Sequence, residues 1–189
     1  VTSRKASYAL ILIGASVLFL AATSKATPTP GITVTVYNNY WYNNAPPVPP
    51  NRPIVGTIQV AQVDQNFDAE PLFNMYEDFV VRYDSYLTAP CTCDVRFMAQ
   101  ADDGTILYLD NALITYDWFD KGGGGSVSNP IPFEYGVPKQ MLLWFYENGG
   151  GAWVKLYWML DATWEIIPAT AFSTVETWTT TTTTNTLPP

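Results

Sequence analysis

The chain has 189 residues and a formal net charge of −8. Aromatic residues reach 15% while charged residues are only 14%, a balance that favours an aromatic-rich β fold over a helical bundle. Arg4, Lys5 and Lys25 are the only charges in the first 26 residues, so the rest carries 6 cations against 17 anions, a balance of −11 that repels phosphate backbones and disfavours nucleic acid as a partner. Histidine is absent, which removes the commonest general base and the commonest zinc ligand together.

Residues 7–23 contain no charge and follow two basic residues. As a helix they would extend about 25 Å at ~1.5 Å per residue, the low end of a bilayer span. Two readings compete: a signal peptide cleaved after Ser24-Lys25-Ala26, or a retained signal-anchor. The anchor is favoured, with residues 1–26 as the membrane segment and Tyr8, Leu10, Ile11, Leu12, Ile13, Val17, Leu18, Phe19 and Leu20 facing lipid. Its basic amino side would stay cytoplasmic and leave the body on the other side, at a cell surface or in a virion membrane.

Residues 27–53 form a Pro-rich extended segment entering the body, with TPTP at 27–30 and APPVPPNRP at 45–53. Pro46-x-x-Pro49 has the spacing of a ligand for an aromatic groove, although a spacer is the simpler expectation. From 31 to 160 the pattern is of short strands. Apolar and polar residues alternate over 31–37, and further runs follow at 54–63, 79–83, 95–99, 106–109, 112–116, 141–146 and 153–160. Turn signals separate them, and Asp110-Asn111 between two apolar runs predicts a tight hairpin. A helical turn is expected only near 70–78. The Gly122 to Gly125 run lacks the Lys-Ser/Thr of a phosphate loop and reads as a flexible loop tip. Cys91-Thr92-Cys93 reads as a pair of turn cysteines, free or bonded; two thiols do not make a zinc site. Residues 161–189 form a Thr-rich tail. The predicted class is all-β: an antiparallel β-sandwich with an N-terminal transmembrane helix and extended tails.

Several motifs in order resemble the PA-fourteen (protective-antigen) domain family, which includes the GLEYA and flocculin-type adhesins. Phe79-Val-Val-Arg-Tyr-Asp-Ser-Tyr-Leu-Thr-Ala-Pro90 is similar to the family's Arg-aromatic stretch leading to Gly-Tyr-Leu, with Ser85 where Gly is usual. Ala101-Asp-Asp-Gly104 is followed by Leu107-Tyr-Leu-Asp110, and Trp144-Phe-Tyr-Glu-Asn-Gly-Gly-Gly151 precedes Leu156-Tyr-Trp158. The resemblance is close over 79–160 and loose over 31–78.

The resemblance implies a two-sheet sandwich and, in the adhesin branch, one calcium ion held by adjacent aspartates across a cis peptide. Carried onto this sequence, Asp102 and Asp103 would be side-chain ligands, Asn148 a third, and a carbonyl near Gly150 a fourth. Such an ion can take two vicinal sugar hydroxyls, with Trp153 or Tyr146 offering a ring face. The competing reading makes Asp-Asp-Gly an ordinary turn, and Gly149-Gly-Gly151 replaces bulkier residues of the adhesins' specificity loop. Trp118, Trp144 and Trp158 are expected in the core.

Three functions follow. The first is a non-enzymatic, membrane-anchored structural module that docks with neighbouring proteins of a surface shell or of a membrane-containing virion, as a minor capsid protein does. The alternative is a calcium-dependent, carbohydrate-binding adhesin or lectin with a glycan partner. A carboxylate-only glycosidase using Asp103 and Glu147 comes last, because the chain has no separate catalytic domain.

Overall fold

Alternating side chains decide the architecture, because each strand must bury one face against another layer. The computed structural model describes residues 29–38 and 53–174. In chain order the strands are β1 Ile32–Asn38, β2 Ile54–Val60, β3 Asp64–Asn66, β4 Phe79–Leu87, β5 Cys93–Asp102, β6 Gly104–Leu109, β7 Ala112–Asp117, β8 Ile131–Phe133, β9 Lys139–Glu147, β10 Trp153–Met159, β11 Trp164–Ile166 and β12 Phe172–Ser173. Two 3-10 turns, Leu72–Asn74 and Ala169–Ala171, are the helical elements among the described residues.

One sheet runs β2-β1-β4-β9-β6-β7, with β12 also paired to β4. The second runs β11-β10-β5-β8, with β3 paired to β10. Every pairing between these strands is antiparallel. Between the sheets, Phe79, Val81 and Tyr83 of β4 and Leu143 and Phe145 of β9 meet Phe97 and Ala99 of β5 and Leu156 and Trp158 of β10, all buried. Phe67, from the segment after β3, stacks on Phe145 at 5.3 Å and tilts against Phe79 at 5.2 Å. Each such side chain contributes about 1.5–3 kcal/mol on leaving water. The outer side of the first sheet carries a second buried cluster of Tyr37, Val80, Ile106, Trp118, Trp144 and Tyr146. Trp118, Trp144 and Trp158 are therefore core residues, as their setting in the sequence suggests.

The predicted hairpin is present: Asp110 and Asn111 join β6 to β7 with φ of 49° and 64°, the left-handed pair a two-residue turn demands. Cys91 and Cys93 are disulfide-bonded. β11 and β12 lie within the stretch 161–189 that composition reads as tail; β11 is held by pairing with β10, and Ser85 explains part of the attachment of β12. Its buried hydroxyl lies 3.0 Å from the carbonyl oxygens of both Gly31 and Ser173.

The expected architecture needs one correction. The fold is an antiparallel sandwich, and no described helix is long and apolar enough to cross a membrane. The segment 1–26, with Tyr8, Leu10, Ile11, Leu12, Ile13, Val17, Leu18, Phe19 and Leu20, lies outside the described residues, as do 39–52 and 175–189. A single-pass membrane localisation and a lipid partner through an N-terminal helix are accordingly not carried by the structure.

Candidate cation and ligand site

β4 and β5 run in opposite senses along the sandwich, which gives it two distinct poles. One pole carries the turn from β5 into β6, the loop 148–152 between β9 and β10, and the first residue of β10, Trp153, paired with Asp102. At the turn the Asp102–Asp103 peptide is cis, and Gly104 follows. Asp103 is buried and fully engaged: its Oδ1 accepts from the Lys121 backbone N–H at 2.8 Å and its Oδ2 from that of Asn148 at 2.9 Å. Burial raises the pKa of Asp102, helped by Asp103 and Asp68 and opposed by Lys121.

β9 supplies the third carboxylate. Its alternation turns Met141, Leu143, Phe145 and then Glu147 inward, so the strand ends with an acid on its core face. Glu147 is 0% exposed, and among the described residues no side chain donates a hydrogen bond to its carboxylate. Burial, followed by the fields of Asp103, Asp102 and Glu77, pushes its pKa up to about 9, against a smaller opposing effect of the Gly149 backbone. Asp102, Asp103 and Glu147 each place an oxygen within 4.8 Å of the others. Three carboxylates so close repel one another in the absence of a counter-charge, and their hard oxygens suit a divalent cation rather than a soft metal. The Asp/Asp/Glu cluster can therefore coordinate a divalent cation.

The surrounding loops are tied to this centre. Gly150 has φ +110° and donates its N–H to Glu77 Oε2 at 3.0 Å. Gly151 permits close approach, since a Cβ there would lie 2.8 Å from Asp102 Oδ2. Asp68 accepts from the Ala152 N–H at 3.2 Å through both carboxylate oxygens. The segment 118–126 crosses the same pole as a strap. Asp120 accepts from Tyr146 Oη at 2.9 Å and from Asn148 Nδ2 at 3.0 Å, while Asp117 binds the Ser126 hydroxyl at 2.5 Å and Lys121 Nζ at 3.4 Å. The glycine run within it is not the free tip that its composition suggests. Gly124 O accepts from Ala101 N, and a Cβ on Gly125 would fall 2.0 Å from Ala99 O.

Of the residues expected at the site, Asp102 and Asp103 come together in the cluster. Asn148 reaches it through its backbone N–H, with its side-chain amide held by Asp120. Trp153 is half-buried beside Asp102, its ring edge 3.1 Å from the point where a Gly123 Cβ would stand. Tyr146 is 0% exposed and packs edge-on to Trp118 at 4.5 Å, so it offers no open ring face. Glu147 enters the sequence reading only as a glycosidase partner; its signal as a ligand is the inward phase of β9. Asp68, Glu77 and Asp120 lie in loops and carry no sequence signal.

A PA14 domain model matches residues 28–163. The chain belongs to the PA14 domain family. No curated protein matches it in sequence. Among solved structures, the PA14 fold here resembles an anti-sigma factor domain-containing protein from Clostridium clariflavum with a TM-score of 0.65 and 20% identity, over 79% of this chain and 49% of that one. The chain thus spans about half the length of that relative. It also resembles a PA14 sugar-binding domain from an RTX adhesin, with a TM-score of 0.59 and 11% identity over 76% of this chain and 98% of that one. A third is the epithelial adhesin 6 A domain from Candida glabrata, in complex with Galb1-3GlcNAc, with a TM-score of 0.59 and 12% identity over 81% and 90%.

These findings correct the first functional expectation. The two domain-sized matches named above are described as a sugar-binding domain and an adhesin domain, not as shell or capsid components, and no described helix anchors the PA14 domain in a membrane. The expectation of a module that is not an enzyme agrees with those descriptions, which name binding rather than catalysis.

Proposed function

We propose that this PA14 domain is a calcium-dependent carbohydrate-binding module whose ligand meets the acidic pole. The observation that carries the reading is the Asp102–Asp103–Glu147 cluster, with one oxygen of each inside 4.8 Å of the others and Glu147 buried without a side-chain donor among the described residues. Side-chain oxygens of Asp102, Asp103 and Glu147 would hold the ion, with the Asn148 side-chain oxygen and a carbonyl near Gly150 completing the set. Calcium takes six to eight hard oxygens, so it would leave positions for two sugar hydroxyls. Glu147 would release its proton on binding, and the ordered loop 148–152 would frame the ligand. Trp153 is the aromatic side chain placed next to Asp102, and its exposed part is the proposed platform for a sugar ring. The likeness in fold to domains described as sugar-binding, and to one solved with a disaccharide, supports this class of ligand.

The test is calorimetry of calcium into wild type and Asp102→Ala, followed by a glycan array with and without chelator. Saturable calcium binding lost in the variant, together with glycan signals lost on chelation, is the expected result. Identical flat titrations for the two proteins would end the proposal.

A further inference from the structure

At the opposite pole a cavity of about 320 Å³ opens among the loop after β4, the loop after β8, and the 3-10 turn before β12. Tyr135 and Trp158 give it aromatic walls, Pro90 and Pro168 flat apolar ones, and Thr88 and Thr170 hydroxyls; no charged residue lines it. Its size is at the lower end for ligand sites, and its walls are pre-formed. The Cys91–Cys93 disulfide adjoins Pro90, the Tyr135 N–H donates to Thr92 Oγ1 at 3.0 Å, and the Thr88 N–H donates to Ala171 O at 2.9 Å.

Aromatic and proline walls without charge are the surroundings in which a polyproline segment docks, because such a segment is already extended and loses little entropy on binding. This chain carries one. Residues 46–50 read Pro-Pro-Val-Pro-Pro, and Arg52 follows. Two exposed acids flank the cavity to meet that arginine: Glu134 adjoins Tyr135, and Glu165 Oε1 accepts from Trp158 Nε1 at 2.9 Å. Lys139, at the start of β9, has its charge engaged by Asp110 at 3.2 Å.

The segment cannot come from the same molecule. The Asn38 N–H donates to Pro53 O at 3.1 Å, so the two residues that bound the stretch 39–52 meet at the acidic pole, where Asn38 pairs with Phe79. Thr88 lies nine residues further along the chain, about 30 Å away at ~3.3 Å per residue. Fourteen residues between two joined ends can extend no further than about 25 Å, half their full length at ~3.6 Å per residue. We propose that the cavity receives the stretch 46–52 of a second copy, in a head-to-tail contact between unlike surfaces. The contact is separate from the acidic pole and does not depend on a cation there.

The test titrates a synthetic peptide of residues 44–53 into ¹⁵N-labelled full-length chain while following the Trp158 indole resonance. Sedimentation of the full-length chain over rising concentration accompanies it. Saturable movement of the Trp158 signal is expected, weakened at least tenfold by Tyr135→Ala, a substitution at a side chain 72% exposed that leaves the fold intact. Concentration-dependent association of the full chain, lost in Arg52→Glu, is expected alongside. A Trp158 resonance that stays still at millimolar peptide overturns the proposal, as does a chain that remains monomeric where the peptide binds. Association that survives Arg52→Glu but disappears on removal of 175–189 gives the cavity to the proline-ended tail instead, and equally overturns it.

Discussion

Asp103 engages both of its carboxylate oxygens with backbone N–H groups, whereas Glu147, an oxygen of which lies within 4.8 Å, meets no side-chain donor among the described residues. The two acids therefore have different work. Asp103 holds the strap and the loop 148–152 in place whether or not an ion is bound. Glu147 meets no side-chain donor among the described residues, and burial keeps it protonated near neutral pH when no ion is bound, so a neutral isostere changes little in the cation-free fold. Glu147→Gln is expected to leave the cation-free fold at least as stable as wild type near neutral pH and to weaken calcium binding at least tenfold, about 1.4 kcal/mol. Calorimetry and thermal melting read both halves. Unchanged calcium affinity would show that Glu147 is not a ligand.

The raised pKa of Glu147 also fixes the direction of a pH dependence. Its ordinary value is 4.5 and burial pushes it to about 9, so between those values the folded cation-free protein keeps a proton that the unfolded chain releases. The state that binds more protons is favoured at low pH, and stability is expected to fall as pH rises from about 5 toward 9. Calcium should flatten the slope by holding Glu147 ionised in the folded state, and Glu147→Gln should flatten it without calcium. Melting temperatures across this range, with and without chelator, decide the matter; a rise with pH in the chelated wild type contradicts it.

The glycine run offers an internal comparison. A Cβ on Gly125 would lie 2.0 Å from the backbone oxygen of Ala99, an atom that cannot swing aside, whereas a Cβ on Gly122 meets nothing within 4 Å. Gly125→Ala is expected to cost about 1–3 kcal/mol as the strap lifts from β5. Gly122→Ala should stay within about 0.5 kcal/mol of wild type. Denaturant melts of the pair measure whether the strap is pinned, and equal stabilities would show that it is not.

These particulars show where the sequence was informative. The long strands were readable because two-residue alternation survives in them: the inward set Phe79, Val81 and Tyr83 is visible without coordinates. β3, β8, β11 and β12 were not, since stretches of two or three residues such as Asp64–Asn66 or the proline-bearing Ile131–Phe133 hold too few positions to show a period. At the site, the adjacent aspartates were legible through the family resemblance. Asp120 and Glu77 were not, because their roles arise from loops meeting across long separations, as in the contact of Glu77 with Gly150. Tyr146 does not offer the expected ring face for the same reason. Its strand phase puts it on the outer side of the sheet, but Trp118 and the strap bury it there.

Gly104 and Tyr146 are paired across β6 and β9, and a Cβ on Gly104 would fall 2.1 Å from Tyr146 Cε1. The tyrosine is buried, and its hydroxyl donates to Asp120, which in turn holds the Asn148 amide. Adding one methyl group at Gly104 must therefore push the ring, pull on Asp120 and shift Asn148 relative to Asp103. Gly104→Ala is expected to destabilise the protein by about 1–3 kcal/mol and to weaken calcium binding, even though it changes no carboxylate. Tyr146→Phe removes the hydroxyl alone and separates the two effects. It should keep the packing against Trp118, cost about 1 kcal/mol for the lost hydrogen bond, and reduce calcium affinity less than Gly104→Ala does. Calorimetry and denaturant melts of both variants test the chain of contacts. Calcium affinity equal to wild type in Gly104→Ala would break it.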